Sequence, residues 1–231
     1  MKKVSRTALW VGCAVGTVGA ASLSLAGDAG VVKHMHEHFD AVTEIQKAVI
    51  AGSLEGTRKP ASYLVGHEAP DGMPAAWSPY VDAMREAAQG VLDASDLMSA
   101  ASATSELGLA CGGCHSANDV TVEFDMPPEP SDDSKTGAHM QRHQWAADRM
   151  WEGLIGPSRY AWSRGADLLF ESPIKPAAMG EHSGDDAVVG MSRRIHQLGA
   201  NATTVVDANQ EAEIYAEFLG NCAACHSALK D

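Results

Sequence analysis

Basic residues are scarce in this chain: Lys and Arg number 17 against 30 Asp and Glu in 231 residues, a formal charge of −13. Non-specific nucleic-acid binding needs a basic footprint, so that class of function is set aside. Strand signals are missing too. No segment sustains period-two alternation, and alanine dominates the periodic segments over valine, isoleucine and the aromatics, which are 6% of the chain. Beyond the first residues no stretch approaches the apolar length of a membrane span. Disorder is excluded in turn, because hydrophobic residues make up 45% of the chain and charged residues only 20%. What remains is a soluble, acidic, helical protein long enough for one large or two small domains.

The N-terminus has the pattern of an export leader. Lys2, Lys3 and Arg6 precede an apolar, small-residue stretch from Thr7 to Leu25, and Ser24-Leu25-Ala26 supplies small residues at the −3 and −1 positions of a cleavage site. Residues 1–26 are therefore expected to be a signal peptide cleaved after Ala26, with the mature chain in the periplasm. Three of the 17 basic residues and none of the 30 acidic ones lie in it, so the mature chain carries 14 basic against 30 acidic groups, a net charge of −16. Protein partners of such a surface are expected to offer a basic docking face.

Of five cysteines, Cys13 falls in the leader, and the other four form two copies of one pattern, Cys111-Gly-Gly-Cys114-His115 and Cys222-Ala-Ala-Cys225-His226. On a helix, positions i, i+3 and i+4 share a face. Two thiols so placed can form thioethers with the vinyl groups of a haem while the histidine reaches the iron from the same side, which is the spacing of covalent haem attachment. A dithiol redox motif normally follows a strand in a βαβ setting, a zinc site would draw one pair from each half, and a disulfide within one helical turn would be strained. Two haem c groups are the expected cofactors.

The chain also repeats. His34-Met35-x-x-His38 recurs as His139-Met140-x-x-His143 at an offset of 105, and the cysteine motifs recur at an offset of 111. Between the copies, residues 121–136 hold Met126-Pro-Pro-Glu-Pro130 and Ser131-Asp-Asp-Ser134, a proline-rich acidic linker. Each copy, 27–120 and 137–231, reads as four helices. The first carries Met35, His38, Val42, Ile45 and Val49, or Met140, His143, Ala147, Met150 and Leu154. A short second helix carries Leu54, Ala61 and Leu64, or Tyr160, Trp162, Leu168 and Leu169. In the third, Ser78-Pro79 opens a stripe of Val81, Met84, Ala88 and Val91, matched by Val188, Met191, Ile195, Leu198, Ala202 and Val205. The fourth runs into the cysteine motif, with Asp207 and Gln210 as a capping box in the second copy. The expected fold is all-α: two tandem antiparallel four-helix bundles, each with a C-terminal C-x-x-C-H haem site.

A haem motif at the C-terminal end of a four-helix unit resembles the class II c-type cytochromes, the group that includes cytochrome c-prime, and the resemblance covers nearly all of both copies. Class I cytochromes c place the motif near the start of the domain and take a methionine from downstream, where this sequence has only Ser227 to Asp231 after His226. The resemblance implies His115 and His226 as proximal iron ligands, with the other iron face toward the first helix. Up-down-up-down topology agrees, since the first helix starts at the end where the fourth finishes. His38 and His143 lead the candidates for sixth ligand, because a core histidine needs a partner, followed by Met35 and Met140, which also suit plain packing. His34 and His139 are expected to support them or face solvent, and His36, His67, His182 and His196 to be solvated. Trp77, Trp145, Trp151 and Trp162 are expected to pack the core and the haem walls.

Electron transfer favours two firm axial ligands, whereas gas binding or peroxide chemistry needs an open or displaceable position. The paired candidates point to a dihaem electron carrier, its irons cycling between Fe(II) and Fe(III), that docks with redox proteins and is not an enzyme. An open site for NO or CO is the alternative, and no acid–base constellation of a dihaem peroxidase is visible. The topology further suggests two haems facing each other across the linker junction.

Overall fold

The computed structural model describes residues 25–68, 73–131, 135–170 and 185–229. Among them are eight α-helices and a single 3-10 turn, with no strand: α1 Leu25–Ile50, α2 Leu54–Gly66, the turn Ala75–Trp77, α3 Ser78–Asp93, α4 Leu97–Ala117, α5 Thr136–Ile155, α6 Arg159–Leu169, α7 Asp186–Ala202 and α8 Ala208–Ala228. The all-α expectation holds. No helix among the described residues is long and apolar enough to cross a membrane. The expected leader lies outside the described residues except Leu25 and Ala26, which begin α1.

Local chemistry sets the helix ends. Asp96 accepts from the Ser99 amide at 2.8 Å, Ser53 from Gly56 at 3.1 Å, and Asp207 from Asn209 and Gln210 at 3.1 Å each, so side-chain oxygens satisfy amides that the first turn leaves unpaired. Gly52, at φ +66°, turns the chain out of α1 in a left-handed conformation that side chains disfavour. Three expectations shift. Ser78 is already helical because the 3-10 turn runs into α3 behind it. Val205 lies beyond α7, which stops at Ala202 so that Asp207 can cap the next helix. Tyr160 is 67% exposed, because the inner face of α6 is carried by Ala161, Trp162, Leu168 and Leu169.

Consecutive helices pack on one another within each half, and the halves share one hydrophobic core that runs through Ile45, Leu64, Val91, Leu107, Met150, Trp151, Phe218 and Leu219. The seam between them is α4 against α8. Ser105 Oγ donates to Ala212 O at 2.5 Å, and Gly220 seats Met98 where a Cβ would lie 2.5 Å from its Cε. Residue numbers rise on one helix as they fall on the other, so the pair is antiparallel. In that register Cys111 stands level with about residue 206, just before the start of α8, about 16 residues and hence about 24 Å short of Cys222. The two cysteine motifs therefore lie at opposite ends of the seam. This corrects the expectation that they face each other across the junction.

Residues 121–131 have no regular structure, yet they are strapped along α5 rather than extended. Trp145 Nε1 donates to Pro127 O at 3.0 Å, Arg142 to Pro130 O at 2.5 Å, and Glu129 takes Arg142 at 3.2 Å and Arg164 at 2.7 Å. Phe124 meets Phe39 of α1, ring centroids 5.3 Å apart. The strap returns the chain from the end of α4 to the start of α5.

Candidate functional site

Each cysteine motif is held against the other half of the chain. Cys111, Cys114 and His115 occupy the last turns of α4, which rests on the C-terminal end of α5. Gly112 permits that approach: a Cβ there would lie 2.2 Å from Leu154 O. His115 Nδ1 lies 2.8 Å from Ile155 O, and His226 Nδ1 lies 2.6 Å from Ile50 O. A carbonyl only accepts, so Nδ1 carries the proton in both rings and each Nε2 keeps its lone pair. Ile155 and Ile50 end α5 and α1, where carbonyls lack helical partners and carry the negative end of the helix dipole. The exchange is reciprocal, because the first helix of each half orients the motif histidine of the other. The offsets of 105 between the isoleucines and 111 between the histidines are those of the sequence repeat.

The four thiols are free. Burial pushes Cys111 and Cys222 up to about 12, and burial also raises Cys114 and Cys225. They are thus held protonated, whereas a dithiol redox pair needs a lowered thiol.

Beside the second motif lies a largely apolar cavity of about 260 Å³. Met140 and His143 enter it from α5, Val188, Met191 and Ile195 from α7, and Cys222, Cys225 and His226 from α8. The expected pairing of first-helix candidates with the motif of their own half is thus met in the second half. His143 Nε2 is buried with no hydrogen-bond partner. Burial first, then His139, His196, His226 and Arg142, lowers its pKa to about 3, so the ring is neutral. In the first half His38 is 8% exposed, its Nε2 likewise has no hydrogen-bond partner, and burial with His34 and His67 lowers it to about 4. Met35 is half-buried one turn away.

Two histidines read as solvated are not. His67 follows α2 and places Nε2 2.9 Å from His34 Nδ1, while His196 is 7% exposed with Nδ1 2.7 Å from Leu169 O. His196 is buried because neighbouring Gly199 lets α6 close on α7, a Cβ there falling 2.6 Å from the Leu169 backbone. Periodicity on one helix could not reveal this approach. His67 was legible in principle: α2 runs back to the end where α1 starts. One ring nitrogen from each of His34, His38 and His67 lies within 4.8 Å of the other two, and the same holds for His139, His143 and His196. His34 and His139 therefore sit inside these clusters. His36 is exposed as expected, and His182 lies outside the described residues. Trp151 and Trp162 are fully buried and Trp145 is 6% exposed, whereas Trp77 is half-buried and donates to Asn118 Oδ1 at 3.0 Å.

No protein-family model, no curated protein and no solved structure matches this chain.

Proposed function

We propose that this chain is a dihaem c-type cytochrome of the class II kind, built from two fused four-helix units, and that it carries electrons between periplasmic redox proteins. The observation that carries the reading is the pairing of each C-x-x-C-H with a histidine whose Nδ1–H is committed to a main-chain carbonyl. An imidazole oriented in this way has one free lone pair and a fixed plane, which an axial iron ligand requires. Cys111 with Cys114, and Cys222 with Cys225, would hold the two haem groups covalently, and His115 and His226 would be their proximal ligands. The sixth ligand would come from the start of the first helix, from His38 and His143 or from Met35 and Met140. The largely apolar cavity beside Cys222 supports the fit in the second half, since Met140, His143, Cys222, Cys225 and His226 all line it. Bound haem would supply an iron that alternates between Fe(II) and Fe(III).

The remaining residues serve docking and rigidity. The acidic excess favours a partner with a basic face and an association that weakens as salt rises. The shared core ties the motif histidines to helices of the opposite half, so their geometry is held while charge changes.

The test is the visible spectrum of the purified, dithionite-reduced protein before and after CO, with haem staining on a denaturing gel. Covalent haem, lost by half in C222S/C225S, with a low-spin spectrum that CO leaves unchanged is the expected result. A CO-shifted spectrum would move the reading to gas binding at an open site. Absence of stain would refute the cytochrome assignment.

A further inference from the structure

A single iron takes one distal nitrogen, but each half of this chain gathers three. The pairs His34 with His38 and His139 with His143 follow from the duplication. The third members do not. His67 stands beyond the end of α2, and no histidine occurs at 172–174, where its counterpart would fall; His196 sits within α7, and Gln89 holds its place in α3. The same grouping has thus been completed twice from non-equivalent positions. Simple packing gives no reason for a third imidazole to join each pair.

Burial lowers His34, His38 and His143, and the rings lie close together, at centroid distances of 4.2 Å for His34 and His38 and 4.3 Å for His139 and His143. His196 commits its Nδ1–H to Leu169 O, which leaves Nε2 as a donor to a metal. Neither cluster includes a thiolate or a carboxylate, and all-imidazole sets suit zinc, copper, nickel and iron rather than magnesium or calcium. Tetrahedral coordination at about 2.0–2.1 Å sets ligand nitrogens about 3.4 Å apart, so contraction from 4.8 Å moves each by about 0.8 Å. Such a shift is within reach of small side-chain rotations. Glu37 beside the first cluster favours positive charge there, and Glu129 neutralises Arg142 beside the second.

We propose that each half carries a three-histidine site for a divalent transition metal of the zinc and copper class, His34 with His38 and His67 in one half and His139 with His143 and His196 in the other. Three protein ligands leave a fourth position for water or a small anion. The inference goes beyond the haem reading and does not depend on it. Where both hold, His38 and His143 serve the second metal, and Met35 and Met140 are the residues left to face the haem irons.

The exported protein, stripped with chelator, given Zn²⁺ and gel-filtered, is assayed for zinc and iron per chain. Two zinc ions beyond the iron are expected. H67A and H196A should each retain one, and the double variant none, with helicity unchanged by circular dichroism. Crystals of the unaltered zinc-loaded chain, which need no variant to fold, should give anomalous peaks at the zinc edge about 2.0–2.1 Å from the three ring nitrogens of each set. Zinc absent from the chain, two zinc ions retained in either single variant, or peaks elsewhere would overturn the proposal. Iron counted in the same samples separates the two readings: zinc without iron refutes the haem assignment alone, and iron without zinc refutes this one alone.

Discussion

The adjacent glycines Gly112 and Gly113 lie in one motif on one helix, yet their replacement by alanine should change stability in opposite directions. At Gly113 a new Cβ meets nothing nearer than Tyr80 at 3.9 Å, an ordinary contact. Alanine there gains the helix-propensity difference of about 0.5–1 kcal/mol. At Gly112 the same methyl group would sit 2.2 Å from Leu154 O, a backbone atom that no rotamer change can remove. α4 must back away from α5, at an overpacking cost of about 1–3 kcal/mol or more, against the same propensity gain. The neighbouring carbonyl, Ile155 O, is the one that orients His115, so that bond stretches with the helix. For a domain of this size each kcal/mol shifts the melting midpoint by about 2–4 °C. Thermal unfolding by circular dichroism should therefore show G113A level with or a few degrees above the parent chain and G112A several degrees below it. A G112A protein as stable as G113A would refute the close approach of α4 to α5, and with it the reciprocal orientation of the motif histidines.

Other perturbations report on the shared core and its charges. Tyr215 is fully buried, donates to Ala147 O at 3.0 Å and accepts from Gln46 Nε2 at 2.9 Å; Y215F should cost about 1–3 kcal/mol in denaturant unfolding by leaving buried groups short of a partner. Burial pushes Glu152 up to about 7 despite Arg149 beside it, so the folded state holds its proton more tightly than the unfolded chain. Its contribution is complete below about 4.5 and is lost as pH rises through 7; E152Q should flatten that part of the stability profile, and a profile of unchanged slope would contradict it. G52A imposes a side chain at φ +66° and presses on Ser227 Oγ, 2.6 Å from the new Cβ, so a loss of about 1–2 kcal/mol is expected in the same unfolding assay.

The two cysteine motifs and the helices that bear them were legible because motif spacing and helix periodicity are local in sequence. The spacing of Cys111, Cys114 and His115 was readable before any fold, as were the repeat at 105 and 111 and the buried stripe of Val42, Ile45 and Val49. Topology alone also placed His143 beside Cys222 and Cys225. Contacts between elements remote in the chain were not legible. That His226 is oriented by Ile50 and His115 by Ile155 depends on the antiparallel seam of α4 and α8, whose register is set by Ser105 with Ala212 and by Met98 on Gly220. The same seam separates the two motifs, contrary to the reading from the linker. His196 looked like a surface residue because its burial comes from a second helix closing over it, as α6 does at Gly199. Sequence by itself determined the spacing of the cysteine and histidine motifs and which helices bear them, since both follow from spacing along one element. The tertiary structure decided which carbonyl orients each histidine and which imidazoles gather, because those depend on how closely two helices approach.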